Sequence, residues 1–177
     1  MTAKTFLLAV AAFAAVGAAG GAALPALAQA DSTSRAVAKA PLAQAVAAAE
    51  QTVGGRAFDA ELDHERGALV YEIDLVKNGR AVEARVDAAT GKVIHQQTLG
   101  AARLPFTSEH LKAAQAAPRT LSQTIALIES STKGQVTDIG LEREAGRYYY
   151  EAELAGAQDR EVRVDLRTGA LTPVMDD

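Results

Sequence analysis

The chain has 177 residues, 49% hydrophobic and 23% charged, enough for one or two globular domains. A formal charge of −4 and a pI near 5.4 leave no basic face for nucleic acid. The absence of cysteine excludes disulfides, thiol catalysis, thiolate metal sites and a lipid-bearing Cys behind a leader.

Residues 1–30 read as a targeting segment. Lys4 is the only charge, an apolar run extends from Phe6 to about Ala23, and Pro25 and Ala28-Gln-Ala30 precede Asp31. Positive start, apolar middle and small-x-small end describe a secretory signal peptide cleaved after Ala30. An uncleaved anchor is the competing reading, but a run of Ala and Gly is weakly apolar for a bilayer. The expectation is a periplasmic or secreted protein with no integral membrane segment after cleavage. Residues 31–40, small and polar, form a flexible lead-in.

The first folded unit is expected over 41–95. Pro41 suits a first helical turn. Leu42, Ala45, Val46 and Ala49 make one apolar stripe, and Gly54-Gly55 ends the helix. Three strands follow by alternation: Phe58, Ala60 and Leu62, then Leu69, Tyr71, Ile73 and Leu75, then Val82, Ala84 and Val86. Gly67 and Asn78-Gly79 supply hairpin turns, and Asp87-Ala-Ala-Thr-Gly91 a further one. Lys92-Val-Ile94 adds a short fourth strand. Residues 96–117 connect, with a short helix predicted over Thr107–Ala117. The second unit, 118–177, opens on the capping-box pattern Thr120-Leu-Ser-Gln123 and repeats the order.

The repetition is internal and specific. Tyr71-Glu-Ile-Asp-Leu75 returns as Tyr150-Glu-Ala-Glu-Leu154, and Glu83-Ala-Arg-Val-Asp-Ala-Ala-Thr-Gly91 as Glu161-Val-Arg-Val-Asp-Leu-Arg-Thr-Gly169. Across the 50 positions from Leu42 to Gly91 there are 18 identities with the second copy. The fold class predicted is therefore α+β, two repeated units, each one helix on a three- to four-stranded antiparallel meander. Units of this size are marginal alone, so the two should pack on each other.

Helix, Gly-Gly, meander, aromatic-Glu on the central strand, then Val-Asp-x-x-Thr-Gly resembles the PepSY domain. The resemblance covers 41–94 and 118–174, with only Gly134 kept of the second Gly-Gly pair. It implies an α+β domain of secreted or membrane-bound bacterial proteins, found in propeptides of thermolysin-type metallopeptidases and in small periplasmic proteins. A peptidase-regulating role has been proposed for such domains. The resemblance carries over no catalytic residue. It carries structural ones: Tyr71 and Tyr150, and the turn residues Asp87, Thr90, Gly91, Asp165, Thr168 and Gly169.

Candidate chemistry is sparse. Asp63, His64 and Glu65 could be metal ligands, but adjacent strand residues point to opposite faces and no second ligand pair follows. A solvated strand end is the preferred reading, and no metal or cofactor is expected. Glu72/Asp74 and Glu151/Glu153 pair carboxylates on the outer strand face, where Arg85 and Arg163 are natural salt-bridge neighbours. Tyr149 and its counterpart Val70 point outward by parity, which makes them candidate partner contacts or inter-unit contacts. The sequence thus points to a non-enzymatic protein that binds a protein or peptide, a protease among the candidates. An envelope sensor holding a small ligand or metal between the units is the alternative, and a purely structural envelope protein a third.

Overall fold

The computed structural model describes residues 38–65, 67–100, 107–155 and 160–174. The predicted signal peptide and most of the lead-in lie outside the described residues. Helix α1, Leu42–Val53, starts after extended Pro41 and buries Leu42, Ala45, Val46, Ala49 and Val53. Gly54, with φ 71°, stops it and donates its N–H to the Glu50 carbonyl at 2.9 Å. Strands β1 (Arg56–Glu65), β2 (Ala68–Lys77), β3 (Arg80–Asp87) and β4 (Val93–Thr98) complete the first unit. Helix α2, Ser108–Ala116, is capped by the Thr107 hydroxyl, which accepts from the His110 N–H. Helix α3, Leu121–Thr132, carries the full capping box between Thr120 and Gln123. Strands β5 (Val136–Glu144), β6 (Arg147–Leu154), β7 (Arg160–Asp165) and β8 (Leu171–Pro173) follow.

The two units are fused edge to edge. All eight strands form one antiparallel sheet in the order β4-β3-β2-β1-β5-β6-β7-β8. The join is short: Asp59 faces Gly140, Ala60 faces Ile139 and Glu61 faces Asp138. Ala60 and Ile139 occupy the same position in the two copies, at an offset of 79. An antiparallel pair between equivalent residues generates a pseudo-two-fold axis through that pair, normal to the sheet, and the strand order is accordingly palindromic. Packing of one unit on the other therefore takes the form of a shared sheet, with α1 lying beside α3 over it. An unpaired β1 would expose its backbone donors and acceptors, and β5 covers that edge over Asp59–Glu61.

One core runs through both halves, with Tyr71, Tyr150, Phe58, Ile73, Leu75, Ile125, Ile128 and Ile139 fully enclosed. Each copy carries the same β-bulge, at Phe58 and at Thr137. Each bulge is held by the same side chain: Glu50 accepts the Ala57 N–H at 3.1 Å, and Glu129 accepts the Val136 N–H at 3.2 Å. A bulge breaks the ladder and leaves a donor to be satisfied, and a carboxylate one helix away does so. The tyrosines differ. Tyr71 donates its hydroxyl to the Ala40 carbonyl at 2.8 Å. The equivalent carbonyl, that of Arg119, is taken at 2.9 Å by Arg56, and the Tyr150 hydroxyl has no hydrogen-bond partner among the described residues.

The repeated turns are also superimposable in chemistry. Asp87 accepts from the Thr90 N–H at 2.7 Å and the Thr90 hydroxyl at 2.6 Å. Asp165 does the same with Thr168, at 2.7 Å for both. Gly91 and Gly169 follow with φ of 70° and 74°, a region that β-branched residues avoid. A Cβ at Gly91 would also approach Ala40 to 3.4 Å, and one at Gly169 would collide with the Arg119 guanidinium. Gly91→Val and Gly169→Val are each expected to lower unfolding free energy by about 1–3 kcal/mol. Urea unfolding of the two variants against wild type checks this, and unchanged midpoints would disprove the turn assignment.

Candidate functional site

Alternation divides the sheet into two faces. All three helices lie on the face of Ala60, Ile73, Ile139 and Tyr150. Helix α2 reaches that side through His110, whose ring meets Tyr148 edge-on at 5.3 Å. The opposite face carries no helix among the described residues. Its central strands hold carboxylates in two adjacent rows. One row runs Glu83, Asp74, Asp59, Gly140, Glu151, and the next Glu72, Glu61, Asp138, Glu153.

An arginine flanks each side. Arg85 bonds Glu65 at 2.8 Å and Glu83 at 3.1 Å, with Glu72 at 3.6 Å. Arg163 bonds Glu151 at 2.7 Å and Glu144 at 2.9 Å. In register terms each guanidinium crosses the neighbouring strand to reach the hairpin glutamate, and what lies beneath differs. In the second copy it is Tyr149, whose ring centroid is 4.6 Å from the Arg163 guanidinium. In the first copy it is Val70. Outward parity made Val70 a candidate contact, but it is only 5% exposed. A short branched side chain between long Arg85 and Glu65 sinks below their ion pair, so Val70 offers no contact surface. Tyr149 is half-buried, and burial raises its hydroxyl pKa.

The carboxylates between the arginines are not ordinary solvated groups. Burial, then Glu72 and Glu83, push Asp74 up to about 7. Its Oδ1 is enclosed and has no hydrogen-bond partner among the described residues. Burial, then Glu153 and Glu61, push Asp138 up to about 7. Asp59 is raised well above its ordinary value by burial, with Asp138 and Asp74 adding to it. It is half-buried, in the middle of the sheet. Glu61 and Glu72 are raised as well, burial being the first cause of each.

The remaining candidates disperse. Asp63 and His64 are exposed at the end of β1, while Glu65 is engaged by Arg85. His95 lies opposite Arg85 on edge strand β4, and His110 is in α2. No three His, Asp or Glu side chains converge as a metal cage among the described residues. The Thr107 hydroxyl and His110 Nδ1 are 2.9 Å apart, but that hydroxyl is the α2 cap. Ile94, beside the β4 bulge, is 58% exposed, the one exposed large hydrophobic side chain among the described residues.

Residues 39–96 and 111–172 each match the family described as "PepSY: Peptidase propeptide and YPEB domain". The chain belongs to the PepSY family. No curated protein matches it significantly. A solved structure described as "a putative lipoprotein" from Clostridium difficile 630 is similar at 17% identity and a TM-score of 0.44, over 78% of this chain and 93% of that one.

Within this PepSY tandem, residues identical between copies mark devices that strand-by-strand reading reached only in part: the Arg85–Glu72 and Arg163–Glu151 pairs were expected, whereas the bulge-holding glutamates and the reach to Glu65 and Glu144 were not. Glu50/Glu129 hold the bulges, and Glu65/Glu144, Glu72/Glu151 and Arg85/Arg163 build the two arginine clamps. The signal was present as paired identities spread over separate elements. Carbon-detected NMR titration should give carboxyl midpoints near 7 for Asp74 and Asp138. Asp87 and Asp165, which accept hydrogen bonds from Thr90 and Thr168, should titrate below the usual aspartate range. The reverse ordering would overturn the electrostatic description of this face.

Proposed function

We propose that this PepSY protein is a non-enzymatic, extracytoplasmic binding module that engages a protein or peptide through the helix-free face of its sheet. The observation that carries the reading is Tyr149 held beneath Arg163, on a face that no described helix covers. Tyrosine and arginine are enriched among the residues that dominate protein contacts, tyrosine because it offers large area at low rotamer-entropy cost. Here Arg163 is fixed by Glu151 and Glu144, so the aromatic–guanidinium pair is ordered before any partner arrives. Restraint of a peptidase is the form of this activity to test first, given the family's description as a peptidase propeptide domain.

The test is inhibition of a thermolysin-type metallopeptidase, followed by capture and identification of partners from envelope extract if inhibition fails. Tyr149→Ala should weaken partner binding by about 2 kcal/mol, roughly thirtyfold, with the fold intact. His64→Ala should leave binding unchanged, since that side chain is at an exposed strand end. A decisive His64 with a silent Tyr149 would move the assignment to a sensor holding a small ligand or metal.

The extracytoplasmic assignment rests on the amino-terminal sequence. No described helix is long and apolar enough to cross a membrane. Intact-mass spectrometry of the protein made in a bacterial host with a secretory pathway is expected to give Asp31 as the first residue. A species retaining Met1 would overturn the cleaved assignment.

A further inference from the structure

The junction of the two PepSY units is built from three facing pairs, Asp59/Gly140, Ala60/Ile139 and Glu61/Asp138. On the helix-free side this junction consists of carboxylates and one glycine. The Asp59 carboxylate leans across it onto the neighbouring strand: a Cβ placed on Gly140 would lie 2.8 Å from Asp59 Oδ2. Outward from the junction the pattern is symmetrical, with Asp59 facing Asp74 on β2 and Asp138 facing Glu153 on β6. Glu72 and Glu83 stand behind on one side, Glu142 and Glu151 on the other. The cations of this face, Arg85 and Arg163, stand on β3 and β7 and are committed to glutamates outside the three facing pairs: Glu65, Glu72 and Glu83 for one, Glu144 and Glu151 for the other. On the helix side, Glu50 and Glu129 accept backbone N–H groups of the bulges.

Carboxylates so placed, with no described cation to pair with, have one local remedy, which is to take up protons. A protonated Asp59 can donate to Asp74, and a protonated Asp138 to Glu153 or Glu61, turning repulsion into hydrogen bonds at the seam. We propose that the β1–β5 seam is a proton-controlled joint: protonation of Asp59 and Asp138 holds the two PepSY units as one sheet, and their ionisation loosens it. The sign follows from linkage. Asp59 and Asp138 bind protons more tightly folded than unfolded, so their contribution to stability is fully present below the unfolded pKa, about 4, and is lost as pH rises, for Asp138 through about 7. The seam responds first because only three residue pairs hold it, against eight pairs between β2 and β3.

The experiment is thermal unfolding of the full chain at pH 5.5 and 8.0, with hydrogen exchange by mass spectrometry at times corrected for intrinsic exchange. Wild type should melt about 5 °C or more higher at pH 5.5. Amides of Asp59–Glu61 and Asp138–Gly140 should lose at least about tenfold protection at pH 8.0, while β2–β3 amides change little. Asp59→Asn and Asp138→Asn, near-isosteric and unable to ionise, should each reduce the pH dependence of melting. The three histidines are common to all forms, so the difference in slope isolates the carboxyls. A melting temperature that is flat or rises with pH would overturn the proposal. So would Asn variants with the wild-type slope, or protection lost equally across the sheet. If Asp59→Asn does not fold, Asp138→Asn and the wild-type exchange profile decide the matter.

Discussion

The pairing of β1 with β5 around Ala60 and Ile139 is the constraint on which the rest of this protein depends. A helix-on-meander unit of this size leaves β1 as an edge, with a row of unpaired donors and acceptors, and buries only a modest core. Joining two such edges removes both deficits at once. It pairs β1 with β5 over Asp59–Glu61 and Asp138–Gly140, and it brings α1 beside α3 so that their apolar stripes share one core. Because equivalent residues meet at the join, every element of one half has a counterpart in the other, rotated by half a turn. The outermost strands, β4 and β8, are then the only edges left among the described residues, and β8 is three residues long and ends on Pro173.

The departures from that symmetry show what each copy can change without losing the fold. The clamp arginines, their glutamates, the bulge-holding glutamates and the Asp-Thr-Gly turns are the same in both halves, because each satisfies a backbone group or a charge that the shared geometry creates. Beneath the clamp, Val70 is replaced by Tyr149, which turns a covered trough into an aromatic surface under a guanidinium. At the helix end, Gly54 is replaced by Lys133, which keeps the left-handed conformation at φ 58°. Its N–H still bonds the Glu129 carbonyl at 2.9 Å, so the stop survives at a cost in strain of order 1 kcal/mol.

The order of elements, the inward residues of each strand, the capping box at Thr120 and the repeated turn were legible in the sequence, because each is specified by residues within one turn or one strand. The seam was not. Its register depends on which residues of two remote strands meet, and Asp59, Gly140 and Ile139 carry no local mark of it. Val70 shows the same limit: parity assigns a face, but cover comes from Arg85 and Glu65, fifteen positions downstream and five upstream. The burial of the outer carboxylates was not legible for an equally physical reason. A carboxylate on an open face is normally hydrated, and what shifts Asp59 and Asp138 here is first their burial in the middle of eight strands, with acids of both copies adding to it.

The seam also explains why the two copies could not remain identical. At a two-fold through Ala60 and Ile139, Asp59 must face the counterpart of Glu61, and Glu61 must face the counterpart of Asp59. A faithful duplicate would put glutamate at position 140, and four carboxylates would meet in one block. The chain has glycine there instead, and Asp59 lies in the space that a side chain would occupy, with Oδ2 only 2.8 Å from where its Cβ would be. The other half of the pair, Glu61 against Asp138, is retained. One like-charged contact has been removed at the axis and one kept. With glycine at 140 the Asp59 carboxylate lies over the neighbouring strand, in the space that a facing side chain would take. The one that was kept, with Asp59 beside it, leaves acids at the joint that no described cation neutralises, and so makes the joint answerable to the proton.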